Sequence, residues 1–211
     1  MPHDSLRPQW LQWAKELQFI AQAGLEYSPD PFDRERFARL RELSAELLAL
    51  MADTPLEKVR DLFCNESGFQ TPKLDSRAAI IRDGKILLVQ ELDGLWAMPG
   101  GWVDVDQTLR SNLIKEAMEE AGIEVEPMRL VALHELHRRN LNRPWPYNII
   151  KAFVLCKPLS EANMPENIET SAAGWFAPDA LPPLHIGKQT EAQIHLCFKA
   201  WNTPGWVAEF D

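Results

Sequence analysis

Apolar residues in the first third of the chain recur at three- and four-residue steps. Trp10, Trp13, Ala14, Leu17, Ile20 and Ala21 form one stripe, and Phe37, Leu40, Leu43, Leu47 and Leu50 form a second. This spacing places one apolar face on each of two helices. The first is expected from Pro8 to Tyr27, with Gly24 near its end. The second follows Pro29-Asp30-Pro31, with Asp33 as candidate N-cap. A third helix is predicted over Leu56–Phe63, where Thr54-Pro55 places proline in the first turn.

From Asn65 to Asp75 the periodicity lapses around Gly68, Thr71 and Pro72, which marks a linker. Beyond it the pattern changes to β-rich runs at Arg77–Arg82 and Lys85–Glu91. Asp83-Gly84 lies between them, a dipeptide suited to a two-residue hairpin turn with positive φ. A Pro99-Gly100-Gly101 turn, a helix from about Gln107 to Ala121 and strands near Met128–His137 and Asn148–Cys156 follow, with a shorter strand at Ala173–Phe176. The expected fold class is α/β: a mixed sheet sandwiched by helices, plus an all-helical N-terminal domain. The expected boundaries are 1–64 for the helical domain, 65–75 for the linker and 76–211 for the sheet domain.

Composition narrows the class. With 211 residues and 45% hydrophobic positions the chain can bury a core without covalent staples. Its longest apolar runs, such as Ala78–Ile81 and Ile86–Val89, fall far short of the ~20 residues a membrane span needs. Met1 to Trp10 contains Asp4, Arg7 and Pro8 and has no signal-peptide pattern, so a cytoplasmic location is expected. Cys64, Cys156 and Cys197 are an odd number without C-x-x-C spacing and read as reduced thiols. The short apolar runs make a membrane partner unexpected, and a net charge of −9 disfavours nucleic acid. A small anionic substrate would need help from a metal.

The helix ending at Ala121 carries Glu116, Glu119 and Glu120, and a solvated surface face explains them poorly. Glu119 and Glu120 occupy the last turn before Gly122, at the negative end of the helix dipole. Glu116 repels both at three- and four-residue spacing, by a few tenths of a kcal/mol per exposed pair. At about 100° per residue Glu116 and Glu120 point within about 40° of each other, and Glu120 falls between Leu109 and Leu113 on the apolar stripe. A hard divalent cation removes all three objections, because Mg²⁺ takes carboxylate oxygens and keeps water and phosphate as its other ligands.

The stretch from Gly101 to Ile123 resembles the Nudix box, which runs Gly, five residues, Glu, seven residues, then Arg-Glu-aliphatic-x-Glu-Glu-x-Gly-aliphatic. Glu116, Glu119, Glu120, Gly122 and Ile123 match, and Ala117 fills the aliphatic place. Gln107 stands where the first Glu is usual and Lys115 replaces the Arg, so the family's orienting ion pair becomes a Gln–Lys couple that lacks full charge and the guanidinium fork. The run Trp96-Ala-Met-Pro-Gly-Gly-Trp-Val-Asp and the opening Trp10-Leu-Gln-Trp13 look like the subgroup with a helical N-terminal domain, which includes CDP-choline and ADP-ribose pyrophosphatases.

The resemblance implies a Mg²⁺-dependent hydrolase, with Mn²⁺ as substitute, that splits a nucleoside diphosphate linked to X. It implies Glu116, Glu119, Glu120 and the Gly101 carbonyl as metal ligands, the same glutamates as catalytic groups, and a homodimer. The general base is expected within the box, with Glu135 and Glu169 as distal candidates. Arg77, Arg138 and Arg139 are candidates for neutralising phosphate, and Trp102 for stacking a base. The rival is a nucleotide-binding sensor without turnover, favoured only by Gln107 and Lys115. His134-Glu135-Leu136-His137 is one residue short of a zinc signature and lies in a strand-like pattern with its histidines on opposite faces, so zinc is not expected there.

Overall fold

The computed structural model describes residues 8–64, 67–140, 148–163 and 170–211. It divides into a helical unit ending at Pro72 and a sheet unit made of Lys73–Leu141 and Ile149–Asp211. Among the described residues no helix is long and apolar enough to cross a membrane.

The helical unit holds α1 (Gln9–Tyr27), α2 (Pro31–Met51) and α3 (Leu56–Phe63). Its core is Leu11 and Ala14 of α1, Ala45 and Leu48 of α2, and Val59 of α3. One sequence expectation shifts. The N-cap of α2 is Asp30, not Asp33: its carboxylate accepts from the N–H groups of Phe32 and Asp33 at 2.8 and 3.0 Å, and Pro31 occupies the first helical position. Gly24 lies near the end of α1, as expected, and lets α2 approach, since a Cβ there would lie 2.4 Å from the Phe37 ring.

In the sheet unit the strands are β1 (Lys73–Arg82), β2 (Lys85–Glu91), β3 (Trp96–Ala97), β4 (Val125–Glu135), β5 (Ile149–Pro158), β6 (Thr170–Phe176) and β7 (Glu209–Phe210). They form a mixed sheet in the order β3-β2-β1-β5-β4-β7, with β6 paired to β2. β1 therefore starts inside the segment read as a linker. It runs parallel to β5 and is buried along most of its length, as befits a central strand covered on both faces. The hairpin to β2 has the expected two-residue turn, with φ of 50° at Asp83 and 72° at Gly84.

Helices cover both faces. Ala78, Ile80, Leu87, Val89, Val154 and Cys156 pack against Leu113, Ala117 and Ala121 of α4 (Leu109–Ala121). The alternate residues Ala79, Ile81, Ile86, Leu88, Phe153 and Leu155 pack against Ile194, Cys197 and Phe198 of α6 (Glu191–Asn202), a helix the hydrophobic pattern had not been used to predict. Each fully buried Leu, Ile, Val or Phe side chain of these layers contributes roughly 1.5–3 kcal/mol. Between β4 and β5 lies the one-turn helix α5 (Leu136–Arg139). The strand expected through His137 thus stops at Glu135.

Candidate active site at the glutamate helix

Helix α4 starts at the N-cap Thr108, whose hydroxyl accepts from the Ser111 N–H while the Ser111 hydroxyl accepts from the Thr108 N–H. It ends at Gly122 in the left-handed region, with φ of 58°. Between these caps one face enters the protein, presenting Asn112, Leu113, Glu116, Ala117, Glu120 and Ala121. Two carboxylates thus lie on the buried face, one turn apart.

What they meet is the glycine turn. The N–H groups of Ala78 and Ser76 donate to the carbonyls of Pro99 and Gly101, each at 2.8 Å, so the turn lies along β1. Gly100 has φ of 141°, and a Cβ there would stand 2.0 Å from the Ser76 carbonyl oxygen, so only glycine fits. Its N–H donates to Glu120 Oε2 at 2.9 Å. A Cβ on Gly101 would come within 3.2 Å of Glu116 Oε2. The adjacent glycines therefore bring backbone close to both buried carboxylates.

Burial pushes the Glu120 carboxyl up to about 7, against the Gly100 N–H bond and the Arg77 and Lys188 charges, with the Glu116 charge adding to the rise. Glu119 is on the outer side, its side chain 58% exposed and 3.8 Å from Lys115. Lys115 does not pair with Gln107. Its Nζ lies 3.1 Å from Asp104 Oδ2, while Gln107 donates its N–H to the Asp104 carbonyl in the turn before the helix.

The carboxylate set fits a hard divalent cation. Two acidic groups with little access to water sit against backbone, and Glu119 stands at the rim. One turn before Glu116, fully buried Asn112 donates to Ser76 Oγ at 3.0 Å, while its Oδ1 has no hydrogen-bond partner among the described residues. That atom adds acceptor capacity beside the carboxylates. Among the described residues no three His, Cys, Asp or Glu side chains are grouped closely enough to hold a metal ion by themselves. The Gly101 carbonyl accepts from the Ser76 N–H at 2.8 Å and from the Ser76 hydroxyl at 3.5 Å.

The other expected site residues are scattered. Arg77 is buried, and its guanidinium donates to both Asp75 oxygens at 2.7 and 2.8 Å and to the Met98 carbonyl at 3.3 Å. These donors brace the segment that leads into the glycine turn. Trp102 is 46% exposed and its backbone bridges Asp75. Arg138 is exposed, and Arg139 is paired with Asp211 at 2.8 Å. Glu135 caps α5, accepting from the Arg138 N–H at 3.2 Å, and Glu169 lies outside the described residues. His134 Nδ1 faces Gln193 Nε2 at 3.3 Å and His137 is buried within α5, so the two histidines belong to different elements.

Sequence reasoning missed Gln189. Fully buried, it accepts from the Met98 N–H and donates to the Trp96 carbonyl, both at 3.0 Å, and so braces the segment leading into Gly100. It also missed Asp75, which gathers Arg77 and Lys151 beneath the turn. Neither residue carries a local signal.

Comparison with known proteins agrees with this geometry. Residues 72–196 match the NUDIX domain, and residues 8–63 match a UDP-X-like N-terminal oligomerisation domain. The chain is 38% identical to YjhB of Bacillus subtilis, provisionally described as an ADP-ribose pyrophosphatase, over 98% of this chain and 99% of that one. An ADP-ribose pyrophosphatase from Streptococcus suis shares 48% identity, covering 67% of this chain and all (100%) of its own, with a TM-score of 0.62. A UDP-X diphosphatase structure shares 32% identity over 96% of this chain and 98% of its own, also with a TM-score of 0.62. The chain belongs to the Nudix family and is a Nudix pyrophosphohydrolase.

Proposed function

We propose that the protein hydrolyses the diphosphate of a nucleoside diphosphate linked to X, of the ADP-ribose or UDP-sugar class, to a nucleoside monophosphate and phosphorylated X. The observation that carries this reading is the seating of Glu116 and Glu120 against Gly101 and Gly100. The relatives named as ADP-ribose pyrophosphatases and a UDP-X diphosphatase favour these substrates over CDP-choline.

Glu116 and Glu120 would hold Mg²⁺ or Mn²⁺, with Glu119 at the rim and the Gly101 carbonyl as a further donor once the long Ser76 hydroxyl contact is released. Such an ion supplies charge neutralisation at the diphosphate and a more acidic water. The chain's own contribution is positional. The Gly100 N–H fixes one Glu120 oxygen, the brace of Gln189 holds the turn, and low exposure keeps bulk water from screening the carboxylates. A box glutamate takes the proton of the attacking water. Trp102, half exposed beside the turn, offers a stacking face for the base, and exposed Arg138 is a further candidate cation for the phosphates.

The sensor reading rested on loss of the orienting pair at positions 107 and 115. Asp104 gives Lys115 a charged partner, which supports turnover instead. The helical unit fits a homodimer interface: Trp13, Ile20 and Tyr27 recur every seven residues along α1 and stay exposed. A cytoplasmic enzyme with reduced thiols is the matching cellular reading.

The test is incubation of the full chain with ADP-ribose, UDP-glucose, CDP-choline and a dinucleotide polyphosphate in Mg²⁺, following products by chromatography. Release of AMP or UMP is expected. No cleavage of any of them in Mg²⁺ or Mn²⁺ overturns the reading.

A further inference from the structure

A diphosphate brings charge that two buried carboxylates repel, so the site needs a cation besides the metal. Two of the three arginines singled out from the sequence are already engaged. Arg77 commits three N–H groups to Asp75 and the Met98 carbonyl, and Arg139 is held by Asp211.

Lys188 is placed differently. It lies in the segment between β6 and α6, which is stitched to β3. The Trp96 N–H donates to the Pro183 carbonyl and the His185 N–H to the Trp96 carbonyl, both at 2.9 Å. Gln189, its immediate neighbour, clamps Trp96 and Met98. The backbone of Lys188 is therefore tied to the strand that feeds the Gly100–Gly101 turn. Its ammonium pairs with Glu91 at the end of β2, and the two side chains are 26% and 15% exposed, so the pair is sheltered but still open to solvent. The positive charge of Lys188 also reaches Glu120 and Lys151, favouring deprotonation of each.

We propose that Lys188 is the phosphate-binding cation of this site, held ready by Glu91 and donating to diphosphate oxygens when substrate is present. The inference rests on the pyrophosphohydrolase reading for its substrate. An ammonium has three donors on a flexible stem, so Lys188 can keep Glu91 and still reach a phosphate oxygen. Glu91 fixes where the ammonium stands before substrate arrives, which lowers the ordering cost of binding.

The experiment compares wild type, Lys188→Gln, Lys188→Arg and Glu91→Gln in the full chain. It reads KM and kcat for the best cleaved diphosphate, and the Kd of the non-hydrolysable analogue α,β-methylene-ADP by calorimetry. Lys188→Gln should raise both KM and Kd by about tenfold or more, the scale of one lost charge-assisted contact. Its kcat should change less and its melting temperature hardly at all, because the Gln189 brace is untouched. Lys188→Arg should restore most of the affinity, and Glu91→Gln should weaken it by a smaller factor. An unchanged Kd and KM in folded Lys188→Gln overturns the inference while leaving the hydrolase reading intact. If wild type cleaves nothing yet binds the analogue in a Lys188-dependent way, the hydrolase reading fails and this one stands. No binding of the analogue to wild type overturns it.

Discussion

Lys115 Nζ stands 3.1 Å from Asp104 Oδ2, which joins the turn before α4 to the acidic part of the helix. Where the family has Glu and Arg, this chain has Gln107 and Lys115, and the counter-charge has moved three residues upstream. The same ammonium lies 3.9 Å from Glu116 and 3.8 Å from Glu119, so it also steadies the like-charged cluster. Asp104→Lys alone should lower kcat/KM by about tenfold, and Asp104→Lys with Lys115→Asp should recover much of it. With both groups exposed, the urea midpoint should hardly move. Wild-type activity in the single variant, measured beside its urea midpoint, would remove Asp104 from the site.

Glu120→Gln keeps the shape and the acceptor for the Gly100 N–H but removes the charge a cation needs. Turnover should fall by ~10²-fold or more, the scale for losing one preorganised electrostatic contact. Circular dichroism should be unchanged. EDTA should abolish wild-type activity reversibly, with Mg²⁺ restoring it. Full turnover of the variant in a chelated buffer would sink the assignment of the glutamates to a metal.

The two glycines should respond in different ways. At Gly100 an added Cβ meets backbone, the Ser76 carbonyl oxygen at 2.0 Å, in a conformation that side chains rarely adopt. Gly100→Ala should cost roughly 2–4 kcal/mol of stability. At Gly101 the Cβ meets only the Glu116 carboxylate at 3.2 Å, so Gly101→Ala should fold normally and lose activity by displacing that group. Denaturant unfolding and turnover assays on both variants decide; equal stability losses would contradict the geometry.

The sequence made α4 legible because every signal was local: the apolar stripe, the Gly122 cap and carboxylates set against the dipole all lie within one helix. The β1–β2 hairpin was legible for the same reason, since Asp83-Gly84 specifies its own turn. Helix α6 also carried local signals, the Thr190–Gln193 capping box and the Ile194, Cys197, Phe198 spacing, which the pattern reading had not used. Arg77 was another matter. A strand arginine beside a linker looks like a surface cation until β5 pairs with β1 and brings Lys151 opposite Asp75. Gln189 and Lys188 act on a turn some ninety residues away, and no local rule exposes that.

The Asp75, Arg77 and Lys151 group combines one buried carboxylate with two buried cations, and that imbalance predicts opposite effects of removing either sign. Asp75→Asn strands both cations and should cost ~3–5 kcal/mol. Lys151→Met leaves the two-point Arg77–Asp75 pair intact and should be near neutral or stabilising. Burial depresses the Lys151 ammonium to about 8, with Asp75 opposing the fall. Its folded value is thus below the ordinary 10.5, and between these limits the unfolded chain binds more protons than the folded one. The Lys151 contribution to stability should therefore rise from pH 8 to pH 10.5, as the buried ammonium loses its proton while the unfolded one keeps it. Lys151→Met has no such proton to lose. The stability of wild type relative to Lys151→Met should improve across that range in urea titrations, and a constant or falling difference would show that Lys151 keeps its charge inside the fold.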